Sequence, residues 1–338
     1  MGLRIVFVGD VMLGRGVNKM LQQVPPEYVW GDTLDIIREA DYSLINLECA
    51  LTLHEHLWDR TLKAFYFKAD PEPAIATLKA ANITCACIAN NHTLDFQEKG
   101  LLDTLQTLDE AGICRAGAGR DIVEARAGVY REVRGFTIGL IAFTDNEPDF
   151  AAVSGRPGVN YIPVSPDTPA VKPLLDAVAA AKEKADIIIV SAHWGPNMRF
   201  RPQREFRAFA HRLIDAGADI FHGHSAHNFQ AIEAYKGKPI FYDTGDFIDD
   251  YAVDPIFRND QSFIFAVDLD GVHIESIDLY PVHLDFAQTN LATGYEFDEI
   301  AARMEELSAE LGPILFRRAK HKLIVPVRRR RKKRVAGG

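Results

Sequence analysis

The 338-residue chain has a formal charge of −9, with 47% hydrophobic and 25% charged residues, the averages of a soluble globular protein. Seven of its positive charges sit in Arg328 to Arg334, RRRRKKR, so the body is more acidic than the total suggests. An acidic body excludes a general nucleic-acid surface and leaves the tail Arg328–Arg334 as the one segment where nucleic acid could bind.

In chain order, Leu3 to Val8 reads as a strand, Thr33 to Ala40 as a helix and Tyr42 to Leu47 as a strand. The spacing then predicts a helix over Pro73 to Ala81 and a strand over Ile83 to Ala89. Leu101, Leu102, Leu105 and Leu108 form one stripe of a helix over Gly100 to Ala111, which Gly112 is placed to end. Val129 to Val133 and Phe136 to Phe143, around Arg134-Gly135, predict a hairpin that opens a second sheet or extends the first. Asp145 to Pro173 reads as a long loop. Helices follow over Val171 to Glu183 and Arg204 to Ala216, each leading to a strand, Asp186 to Ser191 and Asp219 to Phe221. Ala231 to Tyr235, Pro239 to Asp243, Ser262 to Leu269 and Val272 to Val282 complete the strands, and Phe297 to Leu311 is a last amphipathic helix. The alternation is that of an α/β fold. No linker composition interrupts residues 1–285, so the expected division is a catalytic body over 1–285, a helical extension over 286–321 and a basic, disordered tail over 322–338.

The four cysteines, Cys49, Cys85, Cys87 and Cys114, lack C-x-x-C spacing and read as buried free thiols. No apolar run reaches the roughly 18 residues of a membrane span, and LRIVFVGD begins without the order of a signal peptide. The expectation is a cytoplasmic protein with no membrane partner.

Polar residues suited to a metal end five apolar runs: Asp10 after RIVFVG, Glu48 after SLINL, Asn91-His92 after TCACIAN, His193 after DIIIVSA, and His224 with His227 after DIFHG. Ligands of open α/β sheets bind beyond the carboxyl ends of the strands, so these ends can converge on one crevice. Mixed oxygen and nitrogen donors favour manganese, iron or zinc over magnesium. Two carboxylates, an amide and three histidines exceed the needs of one tetrahedral ion, so one or two divalent transition-metal ions are expected, and a two-metal centre fits better. Asp95, three residues after His92, is placed to orient that imidazole. Arg15 and Trp194 are the candidate substrate contacts. Arg15 offers a planar fork to phosphate or carboxylate; Trp194 stands beside His193, with packing as its competing role.

The motifs GDVMLGR, NLE, ANNHTLDF, HWG, GHSAH and KPIFYDTGDF, in this order from about Val8 to Phe247, resemble those of the CapA family of poly-γ-glutamate capsule proteins, within the calcineurin-like metallophosphoesterase superfamily. The resemblance implies a four-layer α/β/β/α sandwich. It implies Asp10, Glu48, Asn91, His193, His224 and His227 as metal ligands and His92 as the catalytic histidine. Met12 stands where the superfamily has a further histidine ligand, Asn90 where it has glycine, and Asp246 where the family shows asparagine. The implied activity is that of a phosphoesterase-type hydrolase acting on a small anionic substrate through a metal-bound hydroxide. Two alternatives share the site: a non-hydrolytic component of poly-γ-glutamate or other anionic-polymer synthesis, and a metal-dependent amide hydrolase.

Overall fold

The first strand, Gly2–Val11, is apolar at almost every position because both its faces are covered. Leu3, Ile5 and Phe7 enter the layer between two sheets, whereas Val6 and Val8 face helices, as the two-residue period of a strand requires. In the computed structural model, which describes residues 2–165 and 169–327, this strand lies inside a ten-stranded sheet. The path of that sheet is Arg317–Ala319, Lys322–Pro326, His273–Asp285, Gln261–Asp270, Gly2–Val11, Tyr42–Leu47, Cys85–Cys87 and Cys114–Ala116. Asp246–Ile248 also pairs with Gly2–Val11, and Gln288–Leu291 with His273–Asp285.

The second sheet has six strands, in the order Ile232–Tyr235, Lys238–Phe241, Ile220–His224, Ile187–His193, Phe136–Thr144, Val129–Val133. Helices Pro71–Ala80 and Gln97–Ala111 cover the outer face of the first sheet, where Leu78, Leu101, Leu105 and Leu108 share a core with Ile45 and Ala86. Gly112 ends the latter helix at φ 73°. Helices Lys172–Ala181 and Arg204–Ala216 cover the second sheet, packing Val178, Phe209 and Leu213 on Ile188, Val190 and Phe221. The result is a four-layer α/β/β/α sandwich. Among the described residues no helix is long and apolar enough to cross a membrane.

Three expectations are corrected. Residue 285 is not a boundary, because Gln288–Leu291 pairs with the strand before it, and helix Gly294–Ala309 sends Phe297, Ile300 and Met304 into the layer between the sheets. Residues 322–326 are no disordered tail: Leu323 and Val325 are buried and pair with Leu279 and Ile277, a short alternation that the flanking basic charge obscures. Cys85 and Cys114 face each other on adjacent parallel strands and are joined as a disulfide, which leaves Cys49 and Cys87 as the buried free thiols. A helix over Arg15–Leu21 adds to the expected elements. Part of the long loop is ordered, since Gly158–Val159 pairs with Ala118–Gly119. The run Arg328–Arg334 lies outside the described residues.

Candidate metal centre

The parallel strands of both sheets deliver their carboxyl ends to one place. Asp10, next to last on the first strand, is brought beside Asp246 by parallel pairing of Gly2–Val11 with Asp246–Ile248. This contact depends on Gly9, where an added Cβ would stand 1.7 Å from the Gly245 carbonyl oxygen. In the other sheet His193 and His224 are register partners on neighbouring strands. Beyond them the chain turns through Ser225 and His227, at φ 117° and 62°, a backbone state that non-glycine residues hold only when their surroundings impose it.

Two groups of donors form, and Asp10 belongs to both. In the first, Asp10, His193 and His224 offer atoms within 4.8 Å of one another, all buried. The Nδ1 atoms of His193 and His224 are 3.1 Å apart, and His224 Nδ1 is 3.5 Å from Asp10 Oδ1. Burial drives both imidazoles well below the usual histidine range, so they remain neutral donors. In the second group Asp10 meets Glu48, His227 and Asp246. Burial lowers the basicity of His227, but Asp246 at 2.9 Å, together with Glu48 and Asp10, outweighs it and holds the imidazole well above its ordinary range.

Among the described residues, one buried oxygen each of Asp10 (Oδ2), Glu48 (Oε1) and Asp246 (Oδ2) in these groups has no hydrogen-bond partner, and neither has Oδ1 of Asn91, which belongs to neither group. Burial, reinforced by Glu48 and Asp246, pushes the Asp10 carboxyl well above the carboxylate range. Unpaired carboxylate oxygens in a dry site are costly unless a cation meets them. The carboxylate and imidazole donors of the two groups therefore fit a divalent metal ion.

The Asn90-Asn91 pair divides its work. Asn90 is structural: its amide donates to Asn46 Oδ1 and the Leu47 carbonyl, and its oxygen accepts from the His92 backbone N–H. Asn46, thus oriented, donates to Asp10 Oδ1 at 2.7 Å and lies 3.3 Å from His193 Nδ1. Met12 is fully buried, and its sulfur accepts from the Gly14 N–H rather than facing the donors.

His92 stands across from these groups. Its Nδ1 is 2.6 Å from Asp95 Oδ2, its Nε2 is 3.9 Å from Glu48 Oε1, and its ring stacks on Phe67 at 3.8 Å. Burial raises Asp95 to about 8 despite Lys63, and burial lowers His92. Nδ1 is thus held by Asp95 Oδ2, and Nε2 is left turned toward Glu48.

Arg15 lies at the mouth, ion-paired to Asp250 at 3.4 Å, with its guanidinium about equally far from Phe65, Phe67 and Tyr251. Trp194 is not in the crevice. Its indole is buried against Phe206, Phe209 and Phe221, and its N–H donates to the Tyr242 carbonyl, so its role is packing.

Several contributors were missed or underrated in the sequence. Asp246, marked in the sequence only as a departure from the family's asparagine, belongs to a donor group. Lys63 places a nearly buried ammonium 3.3 Å from Asp95 and on the Asn91 carbonyl, from an irregular segment that gives no periodic signal. Asn46 lies within the strand Tyr42–Leu47, where the sequence gives it no separate signal. Tyr251 donates to Glu48 Oε2 at 3.2 Å.

Residues 4–251 match the family described as bacterial capsule synthesis protein PGA_cap. Proteins of two Mycobacterium tuberculosis strains, provisionally named polyglutamine synthesis accessory proteins, are 33% identical over 91% of this chain and 92% of their own. The PGA biosynthesis protein CapA of Bacillus subtilis is 34% identical over 72% of this chain and 62% of its own length. Among solved structures, a Staphylococcus aureus protein with a provisional 5'-nucleotidase name, in complex with alpha-ketoglutarate, is 15% identical over 90% of this chain and 58% of its own, at a TM-score of 0.48. The chain belongs to the bacterial capsule synthesis protein family.

Proposed function

Starting from that family membership and the geometry around Asp10, we propose that this protein is a metal-dependent hydrolase of the phosphoesterase type, acting on a small anionic substrate. One observation carries the reading: two donor groups share Asp10, and among the described residues one carboxylate oxygen each of Asp10, Glu48 and Asp246 has no hydrogen-bond partner. Divalent cations held there supply Lewis acidity to substrate oxygens and acidify a water molecule.

The chain's own residues do the rest. Asp10 spans both groups and fixes their spacing. Asp95 and the Phe67 ring hold the His92 imidazole in one plane, so Nε2 is the atom that can give a proton to a departing oxygen. The stacked ring also keeps water from that side of the imidazole. Arg15 at the mouth and Lys63 behind His92 offset the negative charge of an incoming anion.

The test is turnover of a panel containing phosphomonoesters, phosphodiesters and a γ-glutamyl amide, with metal analysis of the purified chain. Bound manganese, iron or zinc, and phosphoester cleavage that His224→Ala abolishes, is the expected result. Absence of a transition metal, together with unchanged cleavage in His224→Ala, refutes it.

A second reading, a component of anionic-polymer synthesis that binds in this crevice without cleaving, is favoured by the names of the Mycobacterium and Bacillus relatives. Metal binding with silence across the whole panel supports that reading instead.

A further inference from the structure

We infer that Ser191 and His222 form a buried relay that holds His224 in its Nε2–H tautomer, aiming the Nδ1 lone pair at Asp10 and His193. They are positioning residues of the centre rather than donors to it. The inference rests on the reading of Asp10, His193 and His224 as a cation-binding group.

The hydrogen-bond directions follow from one end. His222 Nε2 is 3.0 Å from the Val8 carbonyl oxygen, which can only accept, so Nε2 carries the proton. Thr244 agrees with this: its hydroxyl donates to the Gly223 carbonyl, which leaves its oxygen able to accept from the same Nε2 at 3.3 Å. His222 is fully buried, and its ring contacts are Phe7, His224, Ser191, Thr244 and the Val8 carbonyl, none of them a carboxylate. A charged imidazole there would lack compensation, so the ring is neutral and Nδ1 is an acceptor.

Ser191 Oγ lies 3.1 Å from His222 Nδ1 and 3.1 Å from His224 Nε2. The Cys87 thiol also neighbours this hydroxyl, but sulfur is the weaker acceptor; the hydroxyl has one proton and His222 Nδ1 has no other donor among these contacts, so it points there. The Ser191 oxygen then accepts from His224, which must be protonated at Nε2. His224 Nδ1 is left with a lone pair, 3.5 Å from Asp10 Oδ1 and 3.1 Å from His193 Nδ1. A His224 ring of the other tautomer would put an N–H against Asp10 and close the position where a cation has to sit.

The backbone makes the relay possible. Ser191 pairs with His222 and His193 with His224 on adjacent parallel strands, so residues two apart on each strand point to the same face. Four side chains thus stand in one square, the outer pair oriented by the Val8 carbonyl and the inner pair turned to Asp10. Partners of this kind change metal affinity by roughly 10- to 100-fold when removed.

The experiment uses the full chain with histidine labelled by nitrogen-15. In chelator-treated protein, two-bond proton–nitrogen correlation spectra report which ring nitrogen of each histidine is protonated, and His224→Gln identifies the His224 signals. Wild type and Ser191→Thr, which keeps the hydroxyl, should show His224 protonated at Nε2; Ser191→Ala should lose that single pattern. Competition against a chromogenic chelator should show zinc held roughly 10- to 100-fold more weakly by Ser191→Ala and restored in Ser191→Thr.

A wild-type His224 protonated at Nδ1 overturns the relay. So does a Ser191→Ala protein with wild-type tautomer and zinc affinity. Should Ser191→Ala fail to fold, the wild-type spectrum alone decides. Neither measurement uses turnover, so a protein with the relay intact and no phosphoester cleavage refutes the proposed function alone, whereas an active protein with the other tautomer refutes the relay alone.

Discussion

Replacing Asp10 with asparagine should make the metal-free protein more stable and the metal-supplemented protein less responsive, two effects of opposite sign from one buried carboxylate. In the second donor group the atoms of Asp10, Glu48, His227 and Asp246 lie within 4.8 Å of one another. At that separation and an effective dielectric of about 20, a pair of unit charges interacts by about 3 kcal/mol. Asp10 is repelled by two carboxylates and attracted by one imidazolium, a net of about 3 kcal/mol against it. Proton uptake relieves part of this, because burial, Glu48 and Asp246 push the Asp10 carboxyl upward, whereas separations shorter than 4.8 Å add to it. With unfolding entropy near 2.1 cal/mol/K per residue, 3 kcal/mol corresponds to a rise of about 4 °C in Tm for a chain of 338 residues. The assay is a pair of thermal melts per protein, one in excess chelator and one in excess manganese or zinc. Wild type should gain stability with metal in proportion to RT ln(1 + [L]/Kd), whereas Asp10→Asn should start higher and gain little, having lost the shared ligand. A chelated Asp10→Asn protein no more stable than chelated wild type, and with the wild-type response to metal, refutes the shared-carboxylate argument.

Three further perturbations separate the roles. His92→Ala should lower kcat by roughly 10²- to 10⁴-fold while metal content, measured on the same samples, stays at the wild-type level, because His92 belongs to neither donor group. Arg15→Ala should raise KM for an anionic substrate by about tenfold, the effect of about 1.4 kcal/mol, with kcat changed far less; a loss confined to kcat would show that Arg15 does not act in binding. Trp194→Ala should cost about 3–5 kcal/mol of stability in denaturant melts, since its buried indole packs on three phenylalanines, and should leave KM of the folded fraction unchanged.

The difference between Trp194 and Ser191 shows what a sequence discloses about such a site. A polar residue that ends an apolar run is conspicuous because burying it needs a reason, and Asp10, Glu48, His193 and His224 all stand out in that way. Adjacency misleads, however, because successive side chains of a strand leave by opposite faces. Trp194, next to His193, therefore enters the helix-covered layer with Ala192; Asn90, in the bend that follows strand Cys85–Cys87, turns to Asn46 and Leu47 through its own hydrogen bonds.

The same period of two carries the converse signal. Ser191 and His222 lie two residues before His193 and His224, so both reach the face of the donors, a relation available from the strings SAH and HGH once their strands are known to pair in register. Register between distant segments is what the sequence withholds. Asp246 sits at the start of a three-residue strand whose partner is at the other end of the chain, and so short a strand has no periodicity to read. The charge of Lys63 comes from an irregular segment, placed beside Asp95 only by the folding of that segment over the crevice. The residues proposed to hold a cation are thus marked by their own burial, whereas those proposed to aim them are marked only by their partners.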